Sequence, residues 1–400
     1  MSSTSAITPG TTLQNGAAVA PALSQDNPAA AYVNGVHFRR GRVAMYAILK
    51  ALGIGAGDEV IIQAFTCVAV PCPVLATGAA PVYCDIDPVT FNLDPASVEA
   101  RITSRTKAIV VQHTFGIPAD MDRILQIARS RSIPVIEDCC HTVASRWRGQ
   151  RVGSLADAAF SAYRWGKPLV LGIGGTAIIH DERGRKRLRE VANASSTPGV
   201  LETARIRMET FAHGLLLRPS LFWTLRDGYR SLIKMGVAIP TFPKLDLHGE
   251  LSDMDKAMPL YHQKRLAGRI HEAFEQDVAF RRRRAGQYAA ALNRLGAGAP
   301  KLDERYDPVY LRFPFVVTEK ARILEEARKK RVEFGDWFVS AVHPHADAES
   351  QDLGYRQGMC PVAERIAKQV LTLPIYDKVR ESDVERSIEL LENLHRQGLL

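Results

Sequence analysis

One lysine and one aspartate stand where chemistry could happen. Lys167 sits in "SAYRWGKPLVLGIGG", a glycine-rich bend between two strand-like runs, "DAAFSAY" and "GTAIIHD". Asp138 closes the apolar run "PVIED", 29 residues earlier. Singly, each has an ordinary reading. An aspartate after a strand serves as a helix N-cap or turn residue. A lysine near such a bend is solvent-exposed or a phosphate ligand, although the G-x-x-x-x-G-K-[ST] phosphate loop is absent here. Jointly, they match the needs of pyridoxal phosphate, which takes a lysine amine for its Schiff base and an acidic partner for its pyridinium nitrogen. The amine must act as nucleophile and proton shuttle, which partial burial and positive surroundings favour. The carboxylate keeps the ring nitrogen protonated, so that the ring can draw electrons from a carbanion. The phosphate needs backbone N–H donors, which the start of the helix-like run "GRVAMYAIL" offers at Gly41, Arg42 and Val43, and Ser161 adds a hydroxyl.

The elements around these residues read as α/β. From about residue 42, apolar runs alternate with helical patterns: "RVAMYAILKAL" as helix, "DEVIIQAF", "PVYCDI" and "TKAIVVQHTFG" as strands, "DMDRILQIARSR" as helix and "PVIEDCC" as strand. Short, continuous apolar runs indicate a mostly parallel sheet covered by helices on both faces. Ligands of such sheets bind beyond the carboxyl ends of the strands. That places Phe65-Thr66, His113-Thr114, Asp138 and the Lys167 bend at one edge. His113 reads equally as a substrate contact and as a hydrogen-bonded strand-end histidine. The expected organisation is a flexible arm over 1–30, a large cofactor-binding domain over 31–258 with an atypical helical insertion at 195–257, and a smaller α+β domain over 259–400. The last carries a long charged helix near 259–296 and strands in "YLRFPFVV", "VEFGDWF" and "QVLTLPIY".

Composition narrows the class. The chain has 400 residues, 46% hydrophobic and 24% charged, as in ordinary soluble enzymes. The formal charge of +9 admits nucleic acid, an anionic membrane or phosphorylated substrates. Its clusters, "ERGRKRLRE" and "RRRRAG", read as solvated helix faces, and no nucleic-acid-binding signature accompanies them. The six cysteines show neither zinc spacing nor a disulfide framework, which suits a cytoplasmic protein without a metal. The arm lacks the charge and apolar core of a signal peptide. The apolar stretch 211–240 is too interrupted by arginines to span a membrane. It reads as a helical pair packed on the domain, with peripheral contact to the inner membrane face as the alternative.

The chain resembles the DegT/DnrJ/EryC1/StrS family of pyridoxal-phosphate aminotransferases, which mostly act on nucleotide-linked keto-sugars. The resemblance runs from about residue 39 to the C-terminus and is carried by "ALGIGAGDEVIIQAFTCVAV", "GAAPVYCDIDPVTFNLDP", "PVIEDCCHTVASRWRGQRVGSLADAAFSAY", the Lys167 bend with "GIGG", and "CPVAERIAKQVLTLPIY". It implies aminotransferase fold type I, with Lys167 as the Schiff-base lysine, Asp138 on the pyridine nitrogen and His141 near the ring hydroxyl. Arg42 and Val43 would lie at the phosphate, and Gly174 and Gly175 would let the backbone pass close by. It further implies glutamate as amino donor, a keto-sugar acceptor, a role in surface polysaccharide or secondary-metabolite biosynthesis, and a homodimer. A non-catalytic, regulatory member of the family is the alternative. Two departures stand out. Ser161 is six residues before Lys167, with Ala162 at the fifth place where many members have serine, and Cys67 stands where many members stack an aromatic ring on the cofactor.

Overall fold

The computed structural model describes residues 30–196, 198–216, 219–224, 227–228, 231, 254–272 and 274–400. The expected arm therefore lies outside the described residues apart from Ala30, as does much of the 211–240 stretch. Among the described residues, no helix is long and apolar enough to cross a membrane.

A seven-stranded sheet organises the first half. Its strands are β1 (Val36–Phe38), β2 (Glu59–Gln63), β4 (Ala80–Cys84), β5 (Thr106–Gln112), β6 (Val135–Asp138), β9 (Ala158–Ala162) and β10 (Gly175–Ile179); a short β3 (Thr66–Cys67) follows β2, and the short β7 (Arg146–Trp147) and β8 (Gln150–Arg151) lie between β6 and β9. The order is β1-β10-β9-β6-β5-β2-β4. The five strands from β9 to β4 are parallel, while β10 runs antiparallel to β9 and β1 antiparallel to β10. Every residue of β2, β6, β9 and β10 is buried, as expected of strands covered on both faces.

Helix α2 (Gly41–Ala51), which follows the one-turn α1 (Ala30–Asn34), packs on β9 and β10 and is buried on nearly all sides. Its first turn approaches the sheet very closely. A Cβ on Gly41 would lie 2.6 Å from the Ala162 Cβ, and one on Gly175 would lie 2.5 Å from the backbone of Arg40 and Gly41. Two glycines thus let a helix N-terminus rest on the end of β9. The remaining helices of this half are α3 (Pro71–Ala76), α4 (Pro95–Arg101), α5 (Met121–Ser130), α6 (Glu182–Asn193) and α7 (Val200–Leu216). Aspartates cap α4, α5 and α6, with Asp94, Asp120 and Asp181 accepting from first-turn N–H groups. Arg40, at the start of α2, makes no side-chain cap.

The C-terminal part begins with the helical segments α8 (Leu260–Glu272) and α9 (Phe274–Arg294), over the expected long charged helix. It continues with β11 (Tyr306–Asp307), β12 (Arg312–Val316), α10 (Lys320–Lys329), β13 (Val342–His343), α11 (Pro361–Ala367), β14 (Val370–Pro374) and α12 (Glu381–Arg396). β12 and β14 form an antiparallel pair. The run "VEFGDWF" is a loop instead of a strand: only Gly335 bridges to Thr372, after which the chain turns away to carry Trp337 elsewhere. The two basic clusters divide. The cationic side chains of α6 are exposed, but in "RRRRAG" the helical period turns Arg281 and Arg284 inward while Arg282 and Arg283 face solvent.

The close approach at α2 is testable. Gly175→Ala forces a methyl against backbone that cannot yield cheaply, and should cost about 1–3 kcal/mol in urea unfolding. Gly286→Ala, on the exposed face of α9 with nothing within 4 Å, should instead stabilise by up to about 1 kcal/mol. Equal stability of Gly175→Ala and the parent would show that the helix start is not clamped there.

Candidate active site

The carboxyl ends of β2, β5, β6 and β9 meet at one edge. Strand register sets Gln112, Asp138 and Phe160 side by side on β5, β6 and β9. Because strand side chains alternate, the adjacent acids of "IED" go to opposite faces. Asp138 is 4% exposed, and its Oδ1 accepts from the Cys140 N–H at 2.9 Å. Burial raises its pKa, and the Cys140 N–H and the positive charge of Lys167 pull it back down. That charge also acts on Cys67, Cys140 and His141, so these side chains share one space.

His141 has its proton placed by the backbone. The Phe115 N–H donates to Nδ1 at 3.1 Å, so the neutral ring carries its hydrogen on Nε2. Burial, then the Lys167 charge, holds its pKa well below the ordinary value. The ring lies against Phe115, Trp337 and Phe338. Cys67 is half-buried. Burial raises its pKa, while Lys167 and Arg42 draw it down, which puts Arg42 at the same edge as the thiol. Phe65, two residues earlier, is buried in an aromatic group with Phe91, Phe115 and Phe338, the last two of which also meet the His141 ring. Phe65, Phe91 and Phe115 all have left-handed backbone, with φ of 61°, 60° and 56°. Such strain in bulky residues persists only where the surroundings over-determine it. Here a polar net holds it. Gln63 donates to Thr114, Phe91 and Phe65, Thr66 donates to Gln112, and the Thr114 N–H donates to Asn92.

Two of the expected site residues, His113 and Ser161, have their side chains engaged elsewhere. His113 is fully buried: its Nδ1 accepts from the Ala119 N–H at 3.1 Å, and its Nε2 faces Glu137 at 3.1 Å. It is the hydrogen-bonded strand-end histidine, with neither nitrogen left for a substrate. Ser161 shares a strand face with Ala159, opposite the one that Phe160 presents to the α2 side. Its hydroxyl reaches the Cys139 carbonyl at 3.4 Å, which takes it away from the α2 N-terminus. The residue facing the start of α2 is Ala162. Val43 does lie in the first turn of α2 as expected; its side chain is buried in the core and its N–H bonds to the Arg40 carbonyl at 3.1 Å.

Other residues enter that the sequence did not single out. Glu137, with no exposed surface, accepts from the N–H groups of Gly153 (2.7 Å), Leu155 (2.8 Å) and Ala156 (3.0 Å) besides His113. His113, Glu137 and Cys139 are the one group with metal-ligand types among the described residues, and these bonds already engage the first two. Trp337 comes from the C-terminal part. Its ring lies 5.4 Å from the Lys167 Nζ and 5.2 Å from the His141 ring, in cation–π range of the amine. β13 pairs with β3 at Cys67 and brings His343 alongside. Lys320 braces this loop by donating to the carbonyls of Ala367 (2.7 Å), Phe338 (3.2 Å) and Asp336 (3.3 Å), and burial lowers its pKa to about 8. No local pattern announces Trp337, because it is 170 residues from Lys167.

The donor set fits pyridoxal phosphate. Asp138 offers a buried anion to a ring nitrogen, and the His141 Nε2–H offers a donor to a ring hydroxyl. Lys167 offers an amine, and the uncapped first turn of α2 with Arg42 offers a phosphate cradle.

The lowered histidines set a pH dependence. Burial holds His141 well below the ordinary 6.5 and lowers His37 and His343 to about 4. A depressed folded-state value gives stability that is present above pH 6.5 and lost as pH falls toward the folded value. A fully shifted histidine contributes at most about 1.4 kcal/mol per pH unit, and half-buried His37 and His343 less. Asp138, raised by burial, acts in the opposite direction. Urea midpoints should fall from pH 7 to pH 5, while the nitrogen chemical shifts of His141 keep the neutral form at pH 5. A protonated His141 at that pH would contradict the placement of its Nδ1.

The sequence profile of the DegT/DnrJ/EryC1/StrS aminotransferase family matches residues 29–215 and 266–392. A pleiotropic regulatory protein of Geobacillus stearothermophilus is 30% identical over 91% of this chain and 85% of its own length. A UDP-N-acetyl-3-dehydro-alpha-D-glucosamine 3-aminotransferase of Acidithiobacillus ferrooxidans is 29% identical, covering 88% and 82%. A putative sugar aminotransferase of Streptococcus pneumoniae, solved in its PLP-form, shares the fold at a TM-score of 0.70 and 19% identity, covering 92% of this chain and 89% of that one. With its mostly parallel sheet between helices and this match over most of its length, the chain belongs to the DegT/DnrJ/EryC1/StrS aminotransferase family, of fold type I.

Proposed function

We propose that the protein is a pyridoxal-phosphate-dependent aminotransferase that moves an amino group from glutamate to the ketone of a nucleotide-linked sugar. The observation that carries this reading is the meeting of the Lys167 amine, the buried Asp138 carboxylate and the neutral His141 ring at one sheet edge. When bound, the cofactor supplies an electron sink for the carbanion left at the donor's α-carbon. The protein's residues do the rest. Lys167 would hold the cofactor's reactive carbon and, once the donor's amine has displaced it there, would take the proton from the donor α-carbon as general base. Asp138 keeps a proton on the pyridine nitrogen, an arrangement that also relieves the cost of its own burial. His141 orients the ring through Nε2–H. Trp337 screens the amine from bulk water. Arg42 and the α2 N-terminus neutralise phosphate charge. A homodimer accords with the exposed apolar residues Val200, Leu201, Met208 and Phe211 on α7.

The regulatory reading is favoured by one finding, the similarity to the Geobacillus protein. The two readings differ in turnover. Glutamate alone should convert the bound cofactor to its amine form, and a keto-sugar nucleotide should restore it. Lys167→Ala should remove the visible absorbance of lysine-bound cofactor and lower turnover at least about a hundredfold. Asp138→Ala should keep some bound cofactor yet slow the glutamate half-reaction by a similar factor. A parent protein whose bound cofactor is inert to glutamate would favour the regulatory reading.

A further inference from the structure

The lysine bend has a support in α9. The buried stripe of this helix runs through Val278, Arg281, Ala285, Tyr288 and Leu292, the spacing of a core-facing helix. A leucine would suit the second place. The chain instead puts a guanidinium there, 6% exposed. Burying an arginine is costly unless hydrogen bonds replace its water. Arg281 makes them to backbone carbonyls: Nη1 donates to Tyr310 at 3.2 Å and to Leu311 and Ile375 at 3.4 Å, and Nη2 donates to Pro168 at 3.4 Å. Burial pulls the Arg281 pKa down, and the negative charges of Asp277 and Asp377 oppose that shift.

Pro168 directly follows Lys167. A proline has no N–H, so its carbonyl is the one backbone group at that residue able to hydrogen bond. The Lys167 N–H is itself turned back onto the Arg164 carbonyl at 3.2 Å, inside the bend. The other carbonyls held by Arg281 flank β12 and β14. One planar fork therefore ties the peptide after the lysine to the C-terminal strand pair. We propose that Arg281 is a positioning residue for Lys167, fixing the backbone beside it and so the direction in which its amine points. This rests on the reading of Lys167 as the amine that holds the cofactor.

The test uses the full chain with Arg281→Lys, which keeps the charge but not the fork, and Arg281→Met, which keeps the bulk. In the cofactor-free protein, hydrogen exchange of the 163–174 bend should speed up about tenfold or more in both variants, as for a locally released segment. In the loaded protein, the glutamate half-reaction should slow about tenfold or more with its half-saturating glutamate concentration unchanged, because misplacement of a reacting group costs rate before binding. Arg281→Lys should recover part of what Arg281→Met loses. A purely structural arginine would lower the melting temperature of both variants while leaving bend exchange and half-reaction rate at parent values, and that result would overturn the proposal. Should Arg281→Met fail to fold, Arg281→Lys decides alone. A parent that does not load pyridoxal phosphate on Lys167 would sink the functional reading, and bend exchange would still decide whether Arg281 holds the peptide.

Discussion

A carboxylate removed from water must be compensated, and the site follows from how Asp138 is compensated. Within the protein it receives one backbone N–H and the nearby charge of Lys167, yet burial still raises its pKa. The proposed cofactor, with a protonated ring nitrogen beside it, would complete the compensation. The sheet supplies the burial, since β6 is flanked by β5 and β9 and covered on both faces. The neighbouring Glu137 shows the contrasting solution. With three N–H groups and His113 on it, it is satisfied internally and has no call for a ligand.

The same logic extends to the groups around the pair. His141 is held neutral by burial and the Lys167 charge, and the Phe115 N–H at its Nδ1 sets which tautomer it takes. The strain of Phe65, Phe91 and Phe115 is held by packing of their rings and by the glutamine-threonine-asparagine net beneath. Above, the C-terminal part brings Trp337 over the amine through β13 and Lys320. The floor is local to the sheet, whereas the roof is imported from the other end of the chain.

Much of this was legible in the residues. The apolar runs of β2, β5 and β6, the helical spacing of α2 and α5, and the position of Asp138 and Lys167 after strands all follow from periodicity. The family resemblance, not any spacing rule, points to His141 and Cys67, and in the structure the charge of Lys167 acts on both. Ser161 and His113 show the limit. Each ends a strand, but the face it presents depends on pleat and register, and both face the interior side. The arginine run at 281–286 reads as a solvated surface until the helix phase is known, after which two of the four side chains are core.

The amino-acid sequence by itself determined which elements form and which residue types end the strands, because periodicity, turn chemistry and family motifs act over a few residues. The tertiary structure alone decided which strand-end groups face the site, that Trp337 overlies Lys167, and that Arg281 holds Pro168. Those contacts join residues 113 to 170 positions apart. Their existence depends on strand order and on how the C-terminal part docks, which no local pattern encodes.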